Sequence, residues 1–282
     1  QIINTNIMSL NAQRNLSATQ SALATSVQRL STGLRVNSAK DDAAGLAIAE
    51  RMSTQVRGMN VAIRNANDAI SLSQTAEGAL SKINDMGQRM RELAVQSANA
   101  TNNESDRASL NQEYQALAEE IKRNLASTSF NGTKLFAAGS ALTFQVGANN
   151  ATTDQITVNL ATLTAEEDFS KAVGVMGANA ASAPGIATFT FATDALAKLD
   201  TMLTKVNAKR AEFGAIQNRF EAVIQTLQVS AENQTAARSR IMDADFASET
   251  AALTRAQVLQ QAGTSMLSQA NSLPNNVLSL LR

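Results

Sequence analysis

Residues 199–227 read LDTMLTKVNAKRAEFGAIQNRFEAVIQTL, and this stretch decides the fold. Apolar side chains recur along it at alternating intervals of three and four residues, with Lys209 as the single polar member. The stripe consists of Leu199, Met202, Val206, Lys209, Phe213, Ile216, Phe220, Val223 and Leu227. That spacing predicts a long helix that packs against another helix as in a coiled coil and begins after Thr193 or Asp194 as its N-cap.

A second region with helical spacing lies earlier in the chain, and neither of the two prolines interrupts it. Its apolar stripe runs through Ala49, Met52, Val56, Met59, Ile63, Ala66 and Ile70, and resumes as Ala76, Leu80, Ile83, Met86, Met90 and Leu93. The phase shift near Ser73 predicts a stutter in a coiled coil. Asn102 or Asn103, followed by Glu104 and Asp106, predicts the start of another helix. The stripe of that helix is Leu110, Tyr114, Leu117, Ile121 and Leu125.

The central part of the chain is richer in Thr, Asn, Gly and Ala. Apolar and polar residues alternate over residues 142–146 and again over residues 156–160, and a polar stretch at 147–154 separates the two runs. This pattern predicts a β-hairpin with a long tip. Thr164 predicts the cap of a short helix, and residues 186–191 predict a further strand.

The two ends of the chain carry few charges. The only charged residues within 1–34 are Arg14 and Arg29, and residues 244–282 contain four charged side chains. Because a solvated helix keeps one charged face, two such helices paired only with each other would leave apolar surface exposed. We therefore predict that both ends are disordered in the monomer and buried between neighbouring copies in an assembly. The predicted assembly residues are Leu16, Leu23, Val27, Leu30, Leu253, Leu259, Met266, Leu273, Val277 and Leu280.

Charge and residue usage argue against catalysis and against several classes of ligand. The 24 Lys and Arg residues balance the 24 Asp and Glu residues, so no net charge favours nucleic acid. No apolar run is long enough to span a membrane. The chain contains neither Cys nor His, which leaves out a disulfide, a thiolate nucleophile and a Ser-His-Asp triad. We predict no enzyme activity, no cofactor and no metal site.

Several motifs resemble those of bacterial flagellins. The start INTNIMSLNAQRNL, the segment RLSTGLRVNSAKDDAAGLAIAERM and the end RAQVLQQAGTSMLSQANSLPNNVLSLLR carry the likeness, as does QRMRELAVQ at residues 88–96. The likeness covers about the first 135 residues and about the last 90. The middle of the chain is too short for the additional outer domains of the long members of the family, which indicates a short form.

The resemblance implies a mainly α fold, a long antiparallel helical hairpin or coiled-coil bundle with paired terminal helices and a small central segment that contains a β-hairpin. Residues 1–42 would form the N-terminal inner-tube helix and a spoke. Residues 43–192 would form the N-terminal bundle helices and the variable central segment. Residues 193–238 would form the C-terminal bundle helix, and residues 239–282 the C-terminal inner-tube helix.

The resemblance also implies a function, which is that of a structural subunit that self-assembles into the flagellar filament and serves motility. Such a subunit lies outside the cell in the bacterial flagellum and is expected to be exported without a cleavable signal peptide. The expected partners are other copies of the chain, the flagellar export chaperone, the filament cap, hook-associated proteins and cytosolic innate sensors. In some flagellins the residues that match Arg89, Leu93 and Glu113 contact the flagellin-sensing Toll-like receptor of animal hosts, and we predict the same contact here.

Two other functions share some of these features. A hook–filament junction protein has the same terminal architecture, and a secreted effector or adhesin with coiled-coil ends would act by binding a host. The closeness of the terminal motifs to flagellin favours the filament subunit over the junction protein. Sedimentation after seeding with filament fragments would separate the filament subunit, which should become pelletable, from the effector, which should stay in the supernatant.

Overall fold

The computed structural model describes residues 6–136, 141–160 and 185–279, with the backbone alone for residues 273–279. Its elements are α1 (Ile7–Thr32), α2 (Ala43–Ser97), α3 (Glu104–Ser127), β1 (Ser129–Phe130), β2 (Thr133–Lys134), β3 (Ala141–Gln145), β4 (Gln155–Asn159), α4 (Phe189–Met242) and α5 (Phe246–Ser279). The predicted fold class is confirmed, because long helices dominate and a small hairpin lies between them.

The start of α4 differs from the sequence prediction. The strand predicted at residues 186–191 is wrong, because α4 already begins at Phe189. The N-cap predicted at Thr193 or Asp194 is wrong for the same reason. The backbone N–H of Phe191 donates instead to the Thr188 hydroxyl oxygen at 3.3 Å, which is the bond that an N-capping threonine makes. The short helix predicted at Thr164 lies outside the described residues.

The chain divides into two compact units. Residues 57–231 form one unit, and residues 1–56 together with residues 232–282 form the other. The first unit contains the hydrophobic core, which α2, α3, α4 and the two hairpins share. The second unit contains α1 and α5, whose helices pack against each other. The four-part division derived from the sequence stays a prediction.

Helix α2 carries an unbroken seven-residue repeat through the core. One series of its buried positions alternates at intervals of three and four from Met59 to Ser97 without a phase shift, so the stutter predicted near Ser73 is wrong. The sequence prediction followed the large side chains Ile63 and Ile70, whereas the structure buries the smaller Ala62 and Ala69. The series is Met59, Ala62, Ala66, Ala69, Ser73, Ala76, Leu80, Ile83, Gly87, Met90, Ala94 and Ser97, and Leu72, Asn84 and Leu93 are buried beside it.

Small residues in this repeat let α4 approach α2 closely. A Cβ atom added at Gly87 would lie 2.6 Å from Cε of Met202, so the glycine makes room for the methionine. The stripe predicted on α4 is confirmed in this region, since Leu199, Val206 and Phe213 are buried in the same core. Contacts between buried side chains of the two helices within residues 57–231 remove apolar area from water, which stabilises the fold.

Helix α3 begins after Asn103, which is one of the two caps that the sequence predicted, and its start is a capping box. The Asp106 backbone N–H donates to the Asn103 side chain at 2.8 Å, and the Asn103 backbone N–H donates to the Asp106 carboxylate at 3.2 Å. The predicted stripe is buried at Tyr114, Ile121 and Leu125. Burial among apolar side chains raises the pKa of Tyr114 to about 12.

The predicted central hairpin is confirmed. Strands β3 and β4 pair antiparallel, with Leu142 opposite Val158 and Phe144 opposite Ile156. The ring of Phe144 meets the ring of Phe220 edge to face, with centroids 5.8 Å apart. Because apolar and polar residues alternate along both strands, one face of the hairpin is apolar and packs in the core of residues 57–231.

Candidate assembly surface

The terminal unit is an antiparallel pair formed by α1 and α5. The Asn6 side chain caps α1 by accepting a hydrogen bond from the Ser9 N–H at 3.1 Å. The helix ends at Gly33, whose φ of 73° lies in the left-handed region that glycine adopts without strain. The Asn6 amide also donates to the Ala270 carbonyl oxygen of α5 at 2.7 Å, so the cap ties the two helices together.

The interface between the two helices, called the seam below, buries little area because small side chains alternate with leucines. A Cβ atom added at Gly263 would lie 3.3 Å from Cδ1 of Leu16, so this leucine fills the space that the glycine leaves. The positions that face the partner helix are partly or fully buried and recur at intervals of three and four residues. They are Ser9, Ala12, Leu16, Thr19, Leu23, Ser26 and Leu30 on α1, and Leu253, Ala256, Gln260, Gly263, Leu267 and Ala270 on α5.

The structure divides the predicted assembly residues into two groups. Leu16, Leu23, Leu30 and Leu253 belong to the seam within the chain. In contrast, Val27 is 51% exposed, Leu259 is 53% exposed and Met266 is 63% exposed. The side chains of Leu273, Val277 and Leu280 lie outside the described residues.

Sequence reasoning missed three further apolar side chains, Ile7, Met8 and Leu10, which are exposed at the start of α1. The sequence did indicate an apolar surface here, because these three residues belong to a stretch without any charged residue before Arg14. Together with Val27, Leu259 and Met266 they leave the helix pair with apolar side chains that no other described residue covers. Apolar groups that the described part of the chain leaves exposed in this way mark a surface for protein association.

Two connectors lie side by side at one end of the helix pair. Leu34 forms an isolated antiparallel bridge with Asp243. The Arg35 N–H donates to the Met242 carbonyl oxygen at 2.6 Å, and the Ala244 N–H donates to the Gly33 carbonyl oxygen at 2.9 Å. These backbone bonds join the segment that leaves α1 to the segment that enters α5.

The connector after α1 is ordered by an aspartate. The Asp41 carboxylate accepts hydrogen bonds from the Ser38 hydroxyl at 3.0 Å, the Ser38 N–H at 2.9 Å and the Asn37 N–H at 3.1 Å. These bonds, led by the one from the Ser38 hydroxyl, lower the pKa of Asp41. The segment between the end of α1 at Thr32 and the start of α2 at Ala43 therefore contains a turn that the Asp41 carboxylate holds together.

The three residues predicted as a receptor contact do not share one environment. Arg89 Nε donates to Glu113 Oε1 at 2.9 Å, and Arg89 Nη1 donates to Glu92 Oε2 at 3.0 Å. These bonds, the one to Glu113 first, raise the pKa of Arg89. Leu93 is only 1% exposed and packs in the hydrophobic core, so its side chain does not reach the surface on which Arg89 and Glu113 lie.

Within residues 6–136, 141–160 and 185–279, no group of three or more acidic, His or Cys side chains is arranged to hold a metal ion. None of the helices in that part of the chain combines the length and the apolar character needed to cross a membrane.

Comparison with known proteins gives matches along almost the whole chain. Residues 3–141 match the bacterial flagellin N-terminal helical region, and residues 196–281 match the bacterial flagellin C-terminal helical region. A flagellin of Halalkalibacterium halodurans is 44% identical over 282 residues, which are 100% of both chains. A flagellin of Bacillus subtilis is 41% identical over 309 aligned residues, with 99% of each chain covered.

A solved structure supports the fold alone. The structure of a flagellar hook-associated protein from Vibrio parahaemolyticus aligns with a TM-score of 0.59 at 12% identity, over 72% of this chain and 100% of that one. At this identity the likeness says nothing about function.

An uncovered apolar helix pair and a coiled-coil core on one chain define a structural protein that associates with its own copies. The family matches make the assignment specific. The chain belongs to the bacterial flagellin family. It is a structural subunit of the bacterial flagellar filament, the extracellular assembly that serves motility, and neither the junction protein nor the secreted effector is favoured.

Proposed function

We propose that α1 and α5 become stably ordered when the subunit enters the filament, where neighbouring copies cover the apolar side chains that the single chain leaves exposed. The observation that carries this proposal is the exposure of Val27, Leu259 and Met266 on two helices that are almost free of charge. Ordering a residue costs about 1–2 kcal/mol of backbone entropy. A thin seam of small residues buries little area, so burial between copies, at about 25 cal/mol per Å², supplies the remaining stabilisation.

The predicted assembly residues have two roles in this proposal. Leu16, Leu23, Leu30 and Leu253 hold the two helices of one subunit together. Val27, Leu259 and Met266 pack against neighbouring subunits, and Leu273, Val277 and Leu280 extend the same contact toward the end of the chain. Contacts that are not closed by symmetry continue into an open filament.

Hydrogen exchange on monomer and filament tests this proposal. Amides of α1 and α5 are expected to gain protection by about a hundredfold or more on polymerisation, because opening then requires the loss of contacts with neighbouring copies. Amides of α4 within residues 199–220 serve as the internal control, since they are expected to be protected in both states. If both terminal helices are fully protected in a monomer that stays monomeric at high concentration, the proposal is wrong.

We also propose the route and the partners that the family resemblance implies. The subunit leaves the cell without a cleavable signal peptide, and the flagellar export chaperone and cytosolic innate sensors bind its C-terminal segment, residues 277–282. The filament cap and the hook-associated proteins contact the terminal helices. Co-purification of the chaperone with the full chain, but not with a chain that lacks residues 273–282, tests the first of these contacts.

For recognition by the flagellin-sensing Toll-like receptor, we propose a contact through Arg89 and Glu113, with Leu93 supporting the helix from the core. The exposed ion pair between α2 and α3 supports this proposal, because paired polar groups at fixed distance suit a specific contact. Arg89→Ala and Glu113→Ala are each expected to lower the response of receptor-bearing reporter cells about tenfold. Arg123→Ala, which removes an exposed arginine of α3, is the matched control. A parent monomer that gives no response at any dose contradicts the contact.

A further inference from the structure

The apolar seam of the terminal pair does not by itself select one alignment of α1 and α5. The contact between Leu16 and Gly263 defines the observed register, in which Leu23 lies opposite Ala256. If α5 moved by one heptad, Leu16 would face Ala270 or Ala256, depending on the direction. Either slip again places a leucine against a small residue, so packing changes little.

Charge, in contrast, distinguishes the alignments. The charged residues of α1 are Arg14 and Arg29, and those of α5 are Glu249 and Arg255, so Glu249 is the one acidic side chain of the pair. Arg29 Nη1 lies 3.6 Å from Glu249 Oε2, with both side chains partly buried. Opposite charges in such a setting attract more than they do when fully solvated.

A slip by one heptad has a cost in either direction. Movement in one direction brings Arg255 opposite Ser31, two residues from Arg29, so that two like charges approach each other. Movement in the other direction places Glu249 opposite Leu23 and carries Arg29 beyond the start of α5. In each case a partly buried charge loses its partner.

The far end of the pair adds two polar contacts in the same alignment. The Ser9 hydroxyl donates to the Asn271 side-chain oxygen at 2.8 Å. The Asn6 amide donates to a backbone carbonyl oxygen, a type of contact that any register would offer. Between the two helices themselves, the charged pair is therefore the strongest contact that depends on register, and the backbone bonds between the connectors hold the adjacent end of the pair in the same alignment.

We propose that Arg29 and Glu249 fix the register of the terminal helix pair, and that this register determines whether the end of a chain fits the filament. This inference rests on the proposed ordering of α1 and α5 in the filament and names the residues that make the ordering specific. Arg29 and Glu249 act as positioning residues, because they align the apolar side chains that contact neighbouring copies.

Disulfide trapping in filaments measures the register directly, because the chain contains no cysteine. Thr19→Cys with Gln260→Cys reports the observed register, since both residues lie in one layer of the seam. Thr19→Cys with Leu267→Cys, or with Leu253→Cys, reports the two slipped registers. Bonds within one chain shift its mobility on a non-reducing gel, whereas bonds between chains give dimers.

Arg29→Glu is expected to lower the ratio of observed to slipped cross-links roughly fivefold to tenfold, since it replaces an attraction with a repulsion. The exchange Arg29→Glu with Glu249→Arg is expected to restore the ratio. Arg14→Gln is the matched control, because Arg14 is exposed on the same helix and its loss is expected to leave the ratio unchanged.

An unchanged ratio in Arg29→Glu filaments overturns the assignment of Arg29 and Glu249. If Arg29→Glu does not polymerise, recovery of filaments in the exchanged double variant supports the assignment, and continued failure overturns it. The proposed function is tested by the cysteine variants that keep Arg29 and Glu249, with their thiols reduced. If these variants do not form filaments in which α1 and α5 are ordered, the proposed ordering is contradicted. The proposed function and the proposed role of Arg29 and Glu249 are therefore contradicted by different results.

Discussion

Replacing Leu259 and Met266 together with glutamine is expected to abolish polymerisation while leaving the fold of residues 57–231 intact. Both side chains are more than half exposed in the single chain, so their loss removes little stability from the monomer. Full burial of such a side chain between copies is worth about 1.5–3 kcal/mol. Loss of two therefore raises the critical concentration roughly a hundredfold or more.

Sedimentation after seeding with fragments of parent filaments measures this effect. The double glutamine variant is expected to stay in the supernatant, and its circular dichroism melting curve is expected to match that of the parent. Leu259→Met with Met266→Leu is the matched control, because it keeps both positions apolar at similar volume and should still form a pellet. If the glutamine variant forms normal filaments at the concentration at which the parent protein does, the assignment of Leu259 and Met266 to the assembly contact is wrong.

Phe213→Ala is expected to cost about 3–5 kcal/mol of unfolding free energy. Phe213 is 1% exposed and lies in the core that α2, α3 and α4 share, so the substitution leaves a cavity. A loss of this size is a large part of the 5–15 kcal/mol that stabilises a typical domain. The monomer should unfold at a clearly lower urea concentration, which chemical denaturation followed by circular dichroism at 222 nm detects.

Phe191→Ala is the matched control for that substitution. It makes the same change in the same helix, but Phe191 is 49% exposed, so a loss below about 1 kcal/mol is expected. If both variants lose the same stability, the assignment of Phe213 to the core of the unit would be incorrect.

The sequence predicted much of the fold because its apolar spacing is regular. The α4 stripe through Leu199, Phe213 and Phe220 and the capping box at Asn103 follow from local rules that need no partner. The hairpin also followed, because alternation with a period of two is specific to strands. The start of α4 did not follow, since Thr188 and Thr193 are both plausible caps in the sequence, and the helix uses the earlier one.

The phase of the α2 repeat was harder to obtain from the sequence. Ile63 and Ala62 are adjacent, and hydrophobicity alone favours the isoleucine for the core. The structure buries the alanine and leaves the isoleucine beside it only partly buried. In a closely packed core a small side chain fits where a larger one does not, so size as well as hydrophobicity decides which residue faces the core.

The sequence by itself determined that this protein is helical, that its ends are apolar and almost uncharged, and that it belongs among proteins that assemble. Only the tertiary structure decided which apolar residues face inward. Leu267 lies in the seam while its neighbour Met266 is exposed, and Gln260 lies in the seam while Leu259 is exposed. A spacing of three and four residues fixes the period of a helix but not its rotation. The rotation depends on which small residues of the facing helix leave room, and that is a property of the packed pair.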